Sequence, residues 1–161
     1  MVKNPPEGCQ RVIPYLLYSD AAAAIDFVCK AFGFEERFRL PGQGGSIMHA
    51  EVGLADNILM LATAPKEMGC ASPKDLPARH SLVVCYVDDV DAHFRRAKKA
   101  GANVLKEPED QFYGDRTYRV RDPEGHEWYF HQHVRDVPPE AVRPPGACVH
   151  PCARSPASAF D

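Results

Sequence analysis

Two strand-like segments and one loop hold most of the residues able to do chemistry. In Ile47-Met-His-Ala-Glu-Val52, successive side chains of an extended chain point to opposite faces, so His49 and Glu51 share one face and Met48, Ala50 and Val52 the other. The apolar set is expected to meet a helix and the polar pair to line a ligand cavity. An imidazole beside a carboxylate can orient a bound molecule or serve as a metal-free acid and base. As a cross-strand polar pair it would serve the sheet alone. In His126-Glu-Trp-Tyr-Phe-His-Gln-His133 the same alternation groups Glu127, Tyr129, His131 and His133 against His126, Trp128 and Phe130. His131 and His133 read as a solvated strand end. His80, at the mouth of the apolar run Leu82-Val-Val, is a candidate ligand contact. The loop Glu109-Asp-Gln-Phe-Tyr-Gly-Asp-Arg116 can wall a pocket: Phe112 and Tyr113 supply contact area, and Arg116 engages an anionic group. The simpler reading pairs Arg116 with Asp110 or Asp115.

The elements that must position these residues occur twice. Asp20 and Gly33 recur as Asp88 and Gly101, an offset of 68 residues. Each half reads as strand, acid-capped amphipathic helix, glycine stop and three further strands. In the first half the pattern predicts a strand over 12–19, a helix over 21–32, and strands over 34–40, 46–54 and 58–63. Asp20 is the expected helix cap and Gly33 the stop. Pro14 points to an edge position or a bulge. In the second half it predicts a strand over 81–87, a helix from Asp88 or Asp89 to Ala100, and strands over 102–107, 113–121 and 126–134. The fold class is α+β: two βαβββ units, 11–64 and 80–134, in one domain over 11–137. They are expected to form a curved, cup-like eight-stranded mixed sheet with helices outside. Residues 1–10 read as an irregular lead, Pro65 to Arg79 as a linker, and 138–161 as a proline-rich tail unable to bury much apolar surface.

The chain has 161 residues, 45% hydrophobic and 25% charged, with a net charge of -3. That composition suits one packed core. No basic stripe favours nucleic acid, no apolar run is long enough for a membrane span, and the first residues lack a secretory apolar stretch. A cytoplasmic location is the expectation. Of the cysteines at 9, 29, 70, 85, 148 and 152, Cys29 and Cys85 read as buried thiols. Cys148 and Cys152 around His150 read as tail, since a structural zinc site needs four ligands.

Several strings resemble the glyoxalase, bleomycin-resistance and extradiol-dioxygenase superfamily over about residues 11–134, and its PhnB-like branch in particular. They are Pro14-Tyr-Leu-Leu with Asp20, Met48-His-Ala-Glu51, Asp110-Gln-Phe-Tyr-Gly-Asp-Arg116, Asp122-Pro-Glu-Gly-His-Glu-Trp128 and His133-Val-Arg-Asp-Val137. The resemblance implies a divalent metal held by His or Glu from the first, fourth, fifth and eighth strands. Here those places fall at Ile13 or Pro14, Met60 or Leu61, His80, and Tyr129. Only His80 is a usual ligand, so no cofactor is expected. A metal relocated to His49, Glu51, His80 and His131 is the alternative. The expected function is binding, and sequestration, of a small molecule in a cleft lined by both sheets. Tyr113, Trp128 or Tyr129 would give contact surface, and His49, Glu51 and His80 orientation, although periodicity sets Trp128 opposite Tyr129. The competing expectation is a lyase, isomerase or dioxygenase. By resemblance, the chain pairs as a homodimer.

Overall fold

A computed structural model describes residue 2 and residues 4–142. Cys148, Cys152 and most of the proline-rich segment lie outside the described residues. The first unit runs β1 (Tyr15–Tyr18), α1 (Ala21–Phe32), β2 (Glu35–Pro41), β3 (Ile47–Leu54) and β4 (Asn57–Thr63). The second runs β5 (Leu82–Tyr86), α2 (Val90–Lys99), β6 (Asn103–Asp110), β7 (Asp115–Arg121) and β8 (Glu127–His133). The eight strands form two mixed four-stranded sheets, ordered β1-β4-β3-β2 and β5-β8-β7-β6. In each, the first strand pairs parallel with the fourth and the other pairs are antiparallel. Among the described residues no helix is long and apolar enough to cross a membrane.

Both helices start where the sequence places a carboxylate cap. Asp20 accepts the Ala23 N–H at 3.0 Å, and Asp89, rather than Asp88, accepts that of Ala92 at 2.9 Å. Such caps are each worth about 1 kcal/mol. Gly33 then closes α1 in the left-handed region, φ 73°, with its N–H on the Cys29 carbonyl. The Arg96 guanidinium lies where a Cβ at Gly33 would stand, so the stop also admits a side chain from α2.

One core serves both units. Ile25, Val28, Phe32, Val52, Leu61, Val90, Tyr118, Val120, Trp128 and Phe130 are fully buried in a single cluster between the helices and the inner sheet faces. The Phe32 ring of α1 packs 5.0 Å from both Trp128 and Phe130 of β8. His93 of α2 reaches across as well. A carbonyl only accepts, so His93 Nε2–H donates to Phe32 O at 2.9 Å, leaving Nδ1 to accept from the Tyr118 hydroxyl.

Alternation holds along β3 except at one place. Leu40 pairs with His49 but Pro41 pairs with Ile47, so Met48 is an extra residue in the strand. Ile47 and Ala50 both enter the core, while Met48 is 64% exposed. The expectation that Met48 shares the helix side with Ala50 and Val52 is therefore corrected: the bulge turns it outward.

Candidate functional site

Each sheet has one face on the helices and one open face, and the chemistry lies on the open faces. On the first sheet, register sets Tyr15 beside Met60, Met60 beside Glu51, and Glu51 beside Phe38. His49 sits at the centre of a short polar chain. Its Nε2 is 3.3 Å from Glu51 Oε1 and its Nδ1 is 3.1 Å from the Tyr15 hydroxyl. An ionised carboxylate only accepts, so Nε2 carries the proton and Nδ1 accepts from Tyr15. Burial pushes the Tyr15 phenol up. The expected pairing of His49 with Glu51 is present, and Tyr15 is a partner that the sequence reading missed.

Beside this chain lies a cavity of about 660 Å³. Tyr15, Leu17, Met48, Ala62 and Met68 supply most of its apolar wall, with Gln43 and Glu67 among its few polar groups. Its volume falls within the range of small-molecule sites, about 300–1,000 Å³. Met48 at the bulge and Glu67 and Met68 of the turn Lys66–Met68 are part of its lining.

On the second sheet, Tyr86, His131 and Thr117 form one cross-strand row and Val84, Tyr129 and Arg119 the next. Asp115 organises the first of these. Its Oδ2 accepts from Tyr86 at 2.8 Å and from His131 at 2.9 Å, and its Oδ1 accepts from His133 at 2.9 Å. Burial alone would raise the Asp115 carboxyl, but these three donors together hold it below the ordinary carboxylate range. The same bond raises His133, with Asp136 adding to it. Tyr113 arrives from the loop before β7, its hydroxyl 3.2 Å from that of Tyr129 and its ring against Phe112. His131 is thus buried, not a solvated strand end.

Three residues expected at the ligand site stand elsewhere. Arg116 faces the helices because β7 turns Asp115, Thr117 and Arg119 to the open side. It is held by two bonds to Asp91 of α2, at 2.8 and 2.9 Å, and one to Asp110 at 2.8 Å. The simpler reading, an ion pair, is the one realised. Trp128 is 0% exposed, donating its indole N–H to Asp122 at 3.1 Å inside the core. His80 is exposed before β5 and, with Arg79, His126 and Leu16, borders a smaller cavity of about 150 Å³, which shares Tyr15 and Leu17 with the larger one. Nor do the remaining residues share one cleft. No hydrogen bond or ring contact among the described residues joins the Tyr15–His49–Glu51 chain to the Tyr113–Tyr129–His131 group. The units meet instead through their helix sides and through the turn between β7 and β8.

The places where the superfamily resemblance puts a metal do not make a donor set for one. The Pro14 carbonyl is already bonded to the Met60 N–H at 3.0 Å, Leu61 is in the core, and Tyr129 is engaged by Tyr113 and Thr117. A thioether, a phenol and one imidazole do not satisfy a hard or borderline dication. Among the described residues no group of three or more His, Cys, Asp or Glu is placed to hold a metal ion, the set His49, Glu51, His80 and His131 included.

A profile of the Glyoxalase/Bleomycin resistance protein/Dioxygenase superfamily matches residues 12–130. The uncharacterized protein Rv0887c of Mycobacterium tuberculosis (strain ATCC 25618 / H37Rv) is 42% identical over 127 residues, 77% of this chain and 75% of that protein. Among solved structures, TioX from Micromonospora sp. ML1 is similar with a TM-score of 0.62 at 34% identity, over 78% of this chain and 99% of TioX. A glyoxalase-related enzyme from Fulvimarina pelagi shares the fold, with a TM-score of 0.59 at 22% identity over 76% of this chain and 87% of its own. With two βαβββ units in the described structure and a profile match across both, the chain belongs to the glyoxalase, bleomycin resistance protein and dioxygenase superfamily.

Proposed function

We propose that the protein binds a small, largely apolar molecule on the open face of its first sheet and sequesters it without the metal site of its superfamily. The observation that carries this reading is the cavity of about 660 Å³ walled by Tyr15, Leu17, Met48, Ala62 and Met68. Apolar walls supply affinity by area, and the adjacent Tyr15–His49–Glu51 chain offers polar groups that fix orientation. The Asp110-Gln-Phe-Tyr-Gly-Asp-Arg116 string supports placement in the PhnB-like branch, and a cytoplasmic protein is the setting we assign.

The test uses 8-anilinonaphthalene-1-sulfonate as an apolar fluorescent probe. Saturable enhancement is expected, weakened several-fold by Met48→Trp, which fills the cavity from an exposed position. An unsaturable signal, or one indifferent to Met48→Trp, overturns the assignment. Stoichiometric Zn, Ni, Mn or Fe in the purified protein, lost on His80→Ala, overturns the metal-free part.

A second copy of the chain completes this picture. Tyr15, Phe38, Leu40 and Met48 on one open face, and Leu82, Val84 and Tyr86 on the other, are exposed apolar side chains. Such surface is usually covered by a partner, and a homodimer is the partner we assign. Sedimentation that gives one chain per particle at micromolar concentration speaks against it.

The hydrogen bonds of His49 favour one other reading, an enzyme of the lyase, isomerase or dioxygenase kind that uses His49 and Glu51 for proton transfer. Turnover abolished by Glu51→Gln while probe binding persists is the result that selects it.

A further inference from the structure

The second sheet's open face carries a polar atom that the protein itself does not satisfy. His131 must donate Nδ1–H to Asp115, because the carboxylate only accepts. Its Nε2 is buried and has no hydrogen-bond partner among the described residues, and its side chain is only 10% exposed. Burying such an atom unpaired is costly. Turning the ring over would put Cδ2 where Nδ1 stands and forfeit the bond to Asp115. Three aromatic rings stand round His131: Tyr129 edge-on at 4.2 Å, Tyr86 at 5.3 Å and Tyr113 stacked at 6.4 Å.

A count of hydroxyl hydrogens supplies the second observation. Thr117 Oγ1 donates to the Tyr129 oxygen at 3.2 Å, and Tyr129 shares one hydrogen bond with Tyr113, also at 3.2 Å. Three hydroxyl hydrogens serve two bonds. Whichever tyrosine donates to the other, one phenolic hydrogen is left without an acceptor within this group. The Tyr113–Tyr129 pair, whose rings flank the imidazole, therefore holds one spare donor.

We propose that this is a binding site for the hydroxyl of a phenol or enol. The ligand O–H donates to His131 Nε2, the same ligand oxygen accepts the spare tyrosine hydrogen, and the planar ring lies among Tyr86, Tyr113 and Tyr129. Asp115 is a positioning residue that fixes which imidazole nitrogen faces the ligand. The other charged or titratable groups on this face are His133, bonded to Asp115 and Asp136; Arg119, 5.5 Å from the Tyr129 ring, and Arg121, both paired with Glu127; and, on β6, Lys106 paired with Glu109, the register partners of Arg119 and Thr117. Tyr113 is the ring that moves to admit the ligand, being carried on the loop before β7 and not on a strand. This inference rests on the reading of the open faces as ligand surfaces but uses none of the residues of the first-sheet cavity.

The full chain is titrated with 4-nitrophenol, below the pH at which that phenol ionises, and with 4-nitroanisole, which lacks the O–H. Calorimetry and the absorbance shift of the probe read binding. Saturable binding of 4-nitrophenol is expected, about tenfold tighter than 4-nitroanisole, one hydrogen bond's worth, and weakened to a similar degree by His131→Phe. Asp115→Asn is expected to weaken it less. Equal affinity for the two probes overturns the site, as does binding unchanged in His131→Phe. If the His131 variant does not fold, the comparison of the two probes on the unmodified chain decides alone. Failure of 4-nitrophenol with saturable 8-anilinonaphthalene-1-sulfonate binding removes this site only; failure of both probes removes the binding function as well.

Discussion

Glu124, in the turn between the last two strands of the second unit, accepts the main-chain N–H of Asp20 at 2.8 Å, at the start of the first unit's helix. It accepts the Ser19 N–H as well, at 2.6 Å, and Lys74 from the linker lies 3.2 Å away. Two otherwise orphaned N–H groups at a helix start are thus satisfied from 104 and 105 residues further along the chain. Asp122 in the same turn accepts from Tyr18 at 2.8 Å, and His126 donates to the Leu17 carbonyl at 3.0 Å. The Asp-Pro-Glu-Gly turn is a clasp between the two halves.

Glu124→Ala leaves both N–H groups short of an acceptor in a buried place. A loss of about 2–3 kcal/mol is expected by urea unfolding, because the acceptor is charged. Glu124→Gln, which keeps one oxygen acceptor, is expected to lose less. Equal stability of all three proteins would show that water takes over the role.

His93 sets an acid limit on stability. Burial, the dominant cause, pushes its pKa down to about 4 from the ordinary 6.5. Between those values the unfolded chain binds a proton and the folded chain does not. The stability is therefore complete above pH 6.5 and is lost as pH falls towards 4, by about 3 kcal/mol in all. Unfolding free energies at pH 7 and pH 4.5 check this, with His93→Gln expected to flatten the difference.

Arg116 and Trp128 separate folding from binding. Trp128→Ala is expected to cost about 3–5 kcal/mol through the void it leaves beside Phe32. Arg116→Gln is expected to leave probe affinity for either open face within about twofold while lowering the melting temperature slightly, since its ion pairs are largely exposed. A specific loss of probe affinity in Arg116→Gln would return that residue to the binding surface.

Tyr15→Phe tests the polar chain of the first sheet. It removes the donor to His49 Nδ1 without altering the cavity's apolar wall. For a ligand that contacts the chain, affinity should fall about three- to tenfold, whereas the melting temperature should hold, the pair being on the exposed side of the sheet.

Local chemistry makes most of the fold legible in the sequence. The two Asp caps, the glycine stop at Gly33 and the apolar periodicity of α1 are each settled by residues a few positions apart. The opposition of Trp128 and Tyr129 across β8 follows from strand alternation in the same way. What could not be read depends on register between distant segments. Asp115 and His131 are 16 positions apart and meet only because β7 pairs antiparallel with β8. The direction of Arg116 follows from Asp115 and Thr117 facing the open side, which their partners on β8 decide. Tyr15 stands in an apolar strand, but Leu16 and Tyr18, one and three positions on, take the opposite face. The merging of both units into one core is likewise invisible to a repeat found by aligning the halves with each other.

The surplus residue in β3 separates two properties that strands usually tie together. Removing Met48 would leave Ile47 inward, His49 outward, Ala50 inward and Glu51 outward, which is regular alternation. A one-residue deletion here would therefore change the shape of the cavity while every neighbouring side chain kept its side. Chain length at this point thus sets the cavity's shape independently of which side chains enter the core.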